Sequence, residues 1–190
     1  MQILKQSPKA LNTAIAILKK GGVIVCPTDT VYGFLADATN KKAVEKIYKI
    51  KKRPKLKPLS VFVKDFKMAQ ELAEIDSRQA KVLKKFWPGK VTAVLKRKSG
   101  VKIYGVAKDT IAIRIPNHKF LNTLLKKVNR PLVQTSVNIS GKPPLNNIQE
   151  IIETLGRSDL PILIVNGGDL KKSKPSKIIN ITSKKMLRLR

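Results

Sequence analysis

Val23-Ile24-Val25 is a short continuous apolar run, the pattern of a strand buried on both faces, and the residues after it fix the class of fold. Pro27 stops the run. Thr28, Asp29 and Thr30 come next with short polar side chains, and Gly33 permits a tight return. Asn40 then caps a helix that places Val44, Ile47 and Ile50 on one face, and Pro54 ends it. Leu59 to Val63 returns to the strand pattern. Hydroxyls therefore leave a strand end while Lys51 and Arg53 leave a helix end. In an open α/β sheet ligands bind outside the strand C-termini, and hydroxyls beside fixed cations suit a small ligand carrying phosphate or carboxylate. The same spacing also describes a strand–turn–helix with a solvated basic helix end.

The alternation continues in both directions. Ser7-Pro8 opens a helix with Leu11, Ala14, Ile15 and Leu18 in one stripe, closed by Gly21-Gly22. Helices are expected over Asp65 to Ala73 and from Ser77. Trp87-Pro88-Gly89 turns the chain into a strand over Val91 to Leu95, and the lysine-rich 96–108 reads as a flexible excursion. Ile111 to Ile115 is a strand interrupted by Arg114, which must find an anion or reach solvent. Asn117 is expected to cap a helix carrying Phe120, Leu121, Leu124, Leu125 and Val128. Leu132-Val133 starts a strand that runs into Ser136, Asn138, Ser140 and Gly141, a second polar loop at a strand end. Asn147 caps a helix through Leu155, and strands are expected over Ile162 to Val165, Ile178 to Ile181 and Met186 to Leu189. The reading is an α/β fold with a mixed sheet, in one domain over 1–190 without internal repeats.

Composition narrows the setting. No apolar run approaches the roughly 20 residues of a membrane span, and the amino terminus lacks a signal peptide's apolar core. A single cysteine excludes an intramolecular disulfide and fits a reducing, cytoplasmic compartment. The net charge is +28, which attracts phosphate polymers. The excess is mostly lysine spread end to end, however, and aromatics at 5% form no stacking stripe with it. A solvated basic surface is therefore weighed against specific RNA binding.

Five motifs stand in one order: P-T-D-T-V-Y-G, Lys51-x-Arg53-Pro54, F-W-P-G-K-V-T, I-A-I-R-I-P-N-H and S-V-N-I-S-G. Together they resemble the threonylcarbamoyl-AMP synthases, with their YrdC-like fold, over nearly the whole chain from about Lys9. The resemblance implies a twisted open mixed sheet with flanking helices and a large basic cavity. It implies one reaction, in which L-threonine, bicarbonate and ATP give threonylcarbamoyl-adenylate and diphosphate. That product supplies threonylcarbamoyladenosine next to the tRNA anticodon, so tRNA and downstream threonylcarbamoyl-transferase proteins are implied partners. Magnesium is expected with ATP, carried on the phosphates. Carbamates revert in water, so the site must exclude solvent and neutralise charge, with no covalent nucleophile needed.

Carried over residue by residue, the resemblance implies that Thr30, Arg114 and Ser176 contact threonine. It places Lys51, Arg53, Thr110, Ser136, Asn138 and Arg188 at the nucleotide, with Arg190 the alternative alignment for Arg188. Lys51 and Arg53 are the electrostatic candidates for catalysis. Three positions depart from the pattern: Lys57 and Phe62 stand where relatives often have Asn and His, and Pro144 where many have Ser. The late motif is reduced to K-P-S-K, so Ser176 rests on its position. The sequence ends before the additional C-terminal domain that some relatives carry.

Other residues are read as structural. Cys26 and His118 are the sole members of their types and are read as a buried thiol at a strand end and a helix start, against a Cys–His nucleophilic pair. Asp29 is either a general base or a cap for backbone amides. Trp87 is a core anchor rather than a stacking platform. No Cys/His cluster offers a metal site. Two rivals to the synthase remain: an RNA-binding module on the same fold, and a paralogous branch with another small-molecule role.

Overall fold

The computed structural model describes residues 1–156, 162–171, 173–183 and 186–189. In chain order the strands are β1 (Gln2–Lys5), β2 (Val23–Cys26), β3 (Gly33–Asp37), β4 (Ser60–Phe62), β5 (Ala73–Glu74), β6 (Val91–Arg97), β7 (Thr110–Arg114), β8 (Leu132–Ser136), β9 (Ile162–Asn166), β10 (Lys177–Asn180) and β11 (Leu187–Arg188). The helices are α1 (Pro8–Lys19), α2 (Lys41–Lys51), α3 (Phe66–Leu72), α4 (Ser77–Lys84), α5 (Lys119–Val128) and α6 (Ile148–Leu155). Short polar side chains start these helices by accepting an otherwise orphaned backbone N–H. Ser7, Asn40, Asp65 and Asn147 each do so, and Asp76 forms a reciprocal box with Gln79. The N-cap of α5 is His118, whose Nδ1 accepts the Leu121 N–H, rather than the expected Asn117, whose backbone N–H donates to Asp29.

The strands form one sheet in the order β1-β9-β2-β3-β8-β4-β7-β6-β10-β11, with β5 paired to β6. It is mixed: β9 lies parallel to β1 and β2, β4 to β7, and β6 to β10, while β3 and β8 run antiparallel to their neighbours. Side chains of a strand alternate between faces, so each face has its own core. On one, Ile24, Cys26, Leu35, Phe62, Leu132 and Leu163 pack under Ala14 and Leu18 of α1 and Leu121, Leu124, Leu125 and Val128 of α5. On the other, Val23, Val25, Phe34, Val61, Val133 and Ile164 pack with Val44 and Ile47 of α2 and Ile151 and Leu155 of α6. The helices α1 and α5 cover the first face only as far as Phe62 of β4. Beyond it the same face continues as Ser60, Ala112 and Val94, which line a cavity.

Three strands are absent from the sequence reading, among them β5, whose Ala73 was expected to end a helix and instead pairs with Arg97 of β6. β1 is a mostly exposed edge strand, and β3 starts at Gly33, which is the first residue of a central strand and not a turn. The lysine-rich stretch after β6 is also more than an excursion, since Ile103 is buried and Gly105 is wedged against α2. Gly105 has φ +75, and a Cβ there would lie 2.7 Å from Val44 Cγ1 and 3.3 Å from Leu59 Cδ1. Its carbonyl accepts from Leu59 N at 2.7 Å and from the Tyr48 hydroxyl at 3.3 Å. Gly105→Ala should therefore destabilise by about 2–4 kcal/mol, left-handed strain adding to overpacking. A fall in the urea midpoint at unchanged slope would check it.

Candidate active site

The uncovered part of the sheet face forms a cavity of about 500 Å³. Six of the nine expected site residues line it: Thr30, Arg53, Arg114, Ser136, Asn138 and Ser176. Among the described residues its charged lining is Arg53, Arg114 and Lys142, with no carboxylate. Register orders it in rows across the strands. Arg114 lies beside Phe62, Ser60 beside Gln134, Ala112 opposite Val94, and Thr110 opposite Lys96. Arg114 and Thr110 share a face four residues apart, roughly 13 Å along β7. The cavity thus has an Arg114 end and a Ser136–Arg53 end, with Ser60, Gln134, Ala112 and Val94 between them.

At the first end Arg114 is 1% exposed yet charged, and its surroundings account for that. Its Nη2 pairs with Asp29 Oδ1 at 2.5 Å, its Nε donates to the Gly89 carbonyl at 2.8 Å, and its Nη1 donates to Thr30 Oγ1 at 3.3 Å. The Phe62 ring lies under the guanidinium at 5.5 Å, a flat support that the residue's lack of a hydrogen-bond donor does not impair. The anion that the sequence demanded for this arginine is therefore Asp29. Its other oxygen accepts the Asn117 N–H at 3.2 Å, so Asp29 anchors both Arg114 and the chain entering α5. Three of the five guanidinium N–H donors are engaged, which leaves two for the oxygens of a ligand.

The hydroxyls beside Arg114 are equally fixed. Thr28 Oγ1 accepts the N–H groups of Thr30 and Val31 at 3.0 and 3.2 Å, donates to the Val31 carbonyl at 2.7 Å and lies 3.0 Å from Thr30 Oγ1. This is a hydroxyl-closed turn that presents Thr30 inward. Ser173 donates to the Thr30 carbonyl at 2.5 Å, and Ser176 Oγ lies 2.9 Å from Thr92 Oγ1. The segment before β10 is thus pinned over the Arg114 end.

At the other end the side chain of Lys51 sits behind the lining. Its ammonium donates to the Ser136 carbonyl at 2.5 Å, the Asn138 carbonyl at 3.0 Å and Asn138 Oδ1 at 2.7 Å. Burial, and then the nearby Arg53 charge, lowers its pKa to about 8. Arg53 does reach the cavity, and it braces the loop after α2 by donating to the Lys57 and Pro58 carbonyls at 3.1 and 3.0 Å. Thr110 faces the cavity side of β7 beyond its lining. Arg188 lines a neighbouring depression with Phe86, Lys90 and Lys177, while Leu189 enters the cavity in its place. Arg190 lies outside the described residues. Pro144 lines the cavity without a donor, and Lys57 contributes its carbonyl to Arg53 and to the Tyr48 hydroxyl.

The residues read as structural behave so. Cys26 is fully buried, and burial pushes its thiol well above the ordinary range. His118 accepts the Leu121 N–H on Nδ1, and burial lowers its pKa against the pull of Asp29. Trp87 donates to the Val91 carbonyl at 2.8 Å and meets Phe66 edge-on at 6.2 Å. Ser60 and Gln134, bonded to each other at 2.5 Å, were not singled out by sequence reasoning; their signal was two polar residues interrupting strand patterns. Among the described residues no group of three His, Cys, Asp or Glu could hold a metal, and no helix is long and apolar enough to cross a membrane.

A mixed α/β sheet whose uncovered face holds a buried, donor-bearing arginine and a second cationic end offers fixed N–H donors and positive charge at both ends of one cavity. The chain belongs to the Sua5/YciO/YrdC family: the family model described as Telomere recombination matches residues 16–190. A Methanocaldococcus jannaschii protein provisionally named a threonylcarbamoyl-AMP synthase is 38% identical over 195 residues, covering 100% of this chain and 91% of that protein. The threonylcarbamoyl-AMP synthase of Pyrococcus abyssi is 32% identical over 175 residues, covering 90% of this chain and 51% of its own length. The crystal structure of Pyrococcus abyssi Sua5 complexed with L-threonine superposes with a TM-score of 0.87 at 30% identity, covering 100% of this chain and 56% of that one. The chain therefore spans about half the length of the Pyrococcus relative.

Proposed function

We propose that this protein is a threonylcarbamoyl-AMP synthase, joining L-threonine, bicarbonate and ATP into threonylcarbamoyl-adenylate with release of diphosphate. The observation that carries the reading is the two-ended cavity. A buried arginine with two unspent N–H donors stands at one end, and the Ser136–Asn138 turn with Arg53 at the other. The free donors of Arg114 suit the α-carboxylate of threonine, with Thr30 and Ser176 beside it. Arg53 and the turn suit the polyphosphate. The relatives' names and the threonine-bound structure support the same substrates.

In this reading bicarbonate takes up a proton and loses water to give carbon dioxide. The neutral threonine amine adds to its carbon between the two ends, releasing a proton and leaving a carbamate. A carbamate oxygen then attacks the α-phosphorus, and diphosphate leaves toward Arg53. Val94, Ala112 and Ile178 give the cavity an apolar floor, which lowers the water activity around a group that hydrolyses readily. Catalysis comes from alignment and fixed charge. With no carboxylate among the described lining residues, these do not form a protein magnesium site, and in this reading the metal enters with the nucleotide as part of the substrate. Delivery of the adenylate to a tRNA-modifying transferase belongs to the same proposal.

Diphosphate release should depend on threonine and bicarbonate together. Binding of ATP without any threonine-dependent release would refute the synthase. An RNA module would instead bind tRNA through moderate salt, whereas binding carried by the +28 charge alone weakens steeply there.

A further inference from the structure

We propose that Lys51 is a positioning residue for the nucleotide end of the cavity, acting through Ser136–Ser140 rather than by touching phosphate. The proposal rests on the synthase reading for the identity of the ligand. An ammonium has three N–H donors. All three of Lys51's are directed to acceptors on one short segment: the Ser136 carbonyl, the Asn138 carbonyl and Asn138 Oδ1. The residue is 1% exposed, and Nζ lies 5.8 Å from the centre of the buried Phe34 ring. A phosphate reaching this nitrogen would have to displace carbonyls from a buried site, and those carbonyls would then lack a partner.

The hold is two-sided. The carbonyl of Lys51 accepts the Ser140 N–H at 3.0 Å, so the last residue of α2 grips the segment through its backbone as well as its side chain. Asn138 is spent in the same arrangement. Its Oδ1 accepts from Lys51 and from Ser136 Oγ at 2.7 Å, and its Nδ2 donates to the Ile139 and Lys142 carbonyls at 3.0 and 2.5 Å. Neither side chain keeps an unspent N–H for a nucleotide. Lys51 instead supplies a fixed path for the turn and a positive charge behind it, while Arg53, two residues on, reaches the cavity itself. The spacing Lys-x-Arg thereby divides the work: the first cation holds the wall and the second meets the ligand.

The test compares Lys51→Met, Asn138→Ala and the double variant by two measurements: amide hydrogen exchange at Ser140 in the nucleotide-free protein, and ATP affinity without threonine. Lys51→Met should raise Ser140 exchange about tenfold or more and weaken ATP about tenfold, the worth of one charge-assisted contact. The double variant should bind ATP within about twofold of the worse single variant, because both substitutions remove the same hold. Unchanged exchange in Lys51→Met with ATP binding lost would make Lys51 a direct ligand and overturn the proposal. Unchanged ATP affinity, or losses that multiply in the double variant, would do so as well. Should Lys51→Met not fold, Asn138→Ala at its partly exposed position must raise Ser140 exchange by itself, and unchanged exchange there is equally fatal. The exchange result stands even if the wild type makes no adenylate, so failure of this proposal and failure of the synthase reading are distinct.

Discussion

Arg114→Ala should lose threonine binding and much of the protein's stability together. The substitution leaves the Asp29 carboxylate buried, with the Asn117 N–H as its described partner and no cation. Breaking a buried ion pair by removing one member costs about 3–5 kcal/mol, a large share of the roughly 5–15 kcal/mol that holds a domain folded. A loss of function in that variant would thus mix unfolding with missing contacts. Arg114→Lys separates them. It keeps a charge near Asp29 but has no planar fork for a carboxylate. Threonine affinity should fall roughly ten- to a hundredfold, with ATP affinity measured without threonine nearly unchanged. Denaturant melts and calorimetry on both variants check this, and threonine binding as tight in Arg114→Lys as in wild type would place the carboxylate elsewhere.

Arg53→Ala should show the opposite pattern. Arg53 lines the cavity with one N–H on Nε and one on Nη2 committed to the Lys57 and Pro58 carbonyls, so three donors remain. Its removal should weaken ATP roughly ten- to a hundredfold and leave threonine binding intact. The position is partly exposed, so stability should change by no more than about 1 kcal/mol. Equal losses of both ligands in both the Arg53 and Arg114 variants would contradict a cavity with two ends.

Helix starts were the most legible part of the fold. Ser7, Asn40 and Asn147 each accept the N–H that their position before an apolar stripe implied, because capping is a local interaction. β1, β3 and the two-residue β5 were not legible. An edge strand carries little apolar pattern, and β3 begins with a glycine whose strand role is set by its antiparallel neighbours β2 and β8. Site residue types were legible while their pairings were not. That Arg114 needed an anion came from its place in an apolar strand, but the anion is 85 residues away and only the fold brings it near. Lys51 is held mainly by backbone carbonyls, which leave no trace in sequence. At β11, a strand of two residues, no period tells which of Arg188 and Leu189 turns inward. The departures from the family pattern divide the same way. Phe62 found a role beneath Arg114 that its type alone did not suggest, while Pro144 simply lines the cavity without a donor.

The central claim is tested most directly by mass spectrometry of the product formed from ATP, L-threonine, magnesium and carbon-13 bicarbonate. The account predicts a threonylcarbamoyl-adenylate that carries the carbon-13 label and that disappears when threonine is left out. An adenylate without the label, or no adenylate from a folded protein that binds both ATP and threonine, would contradict it.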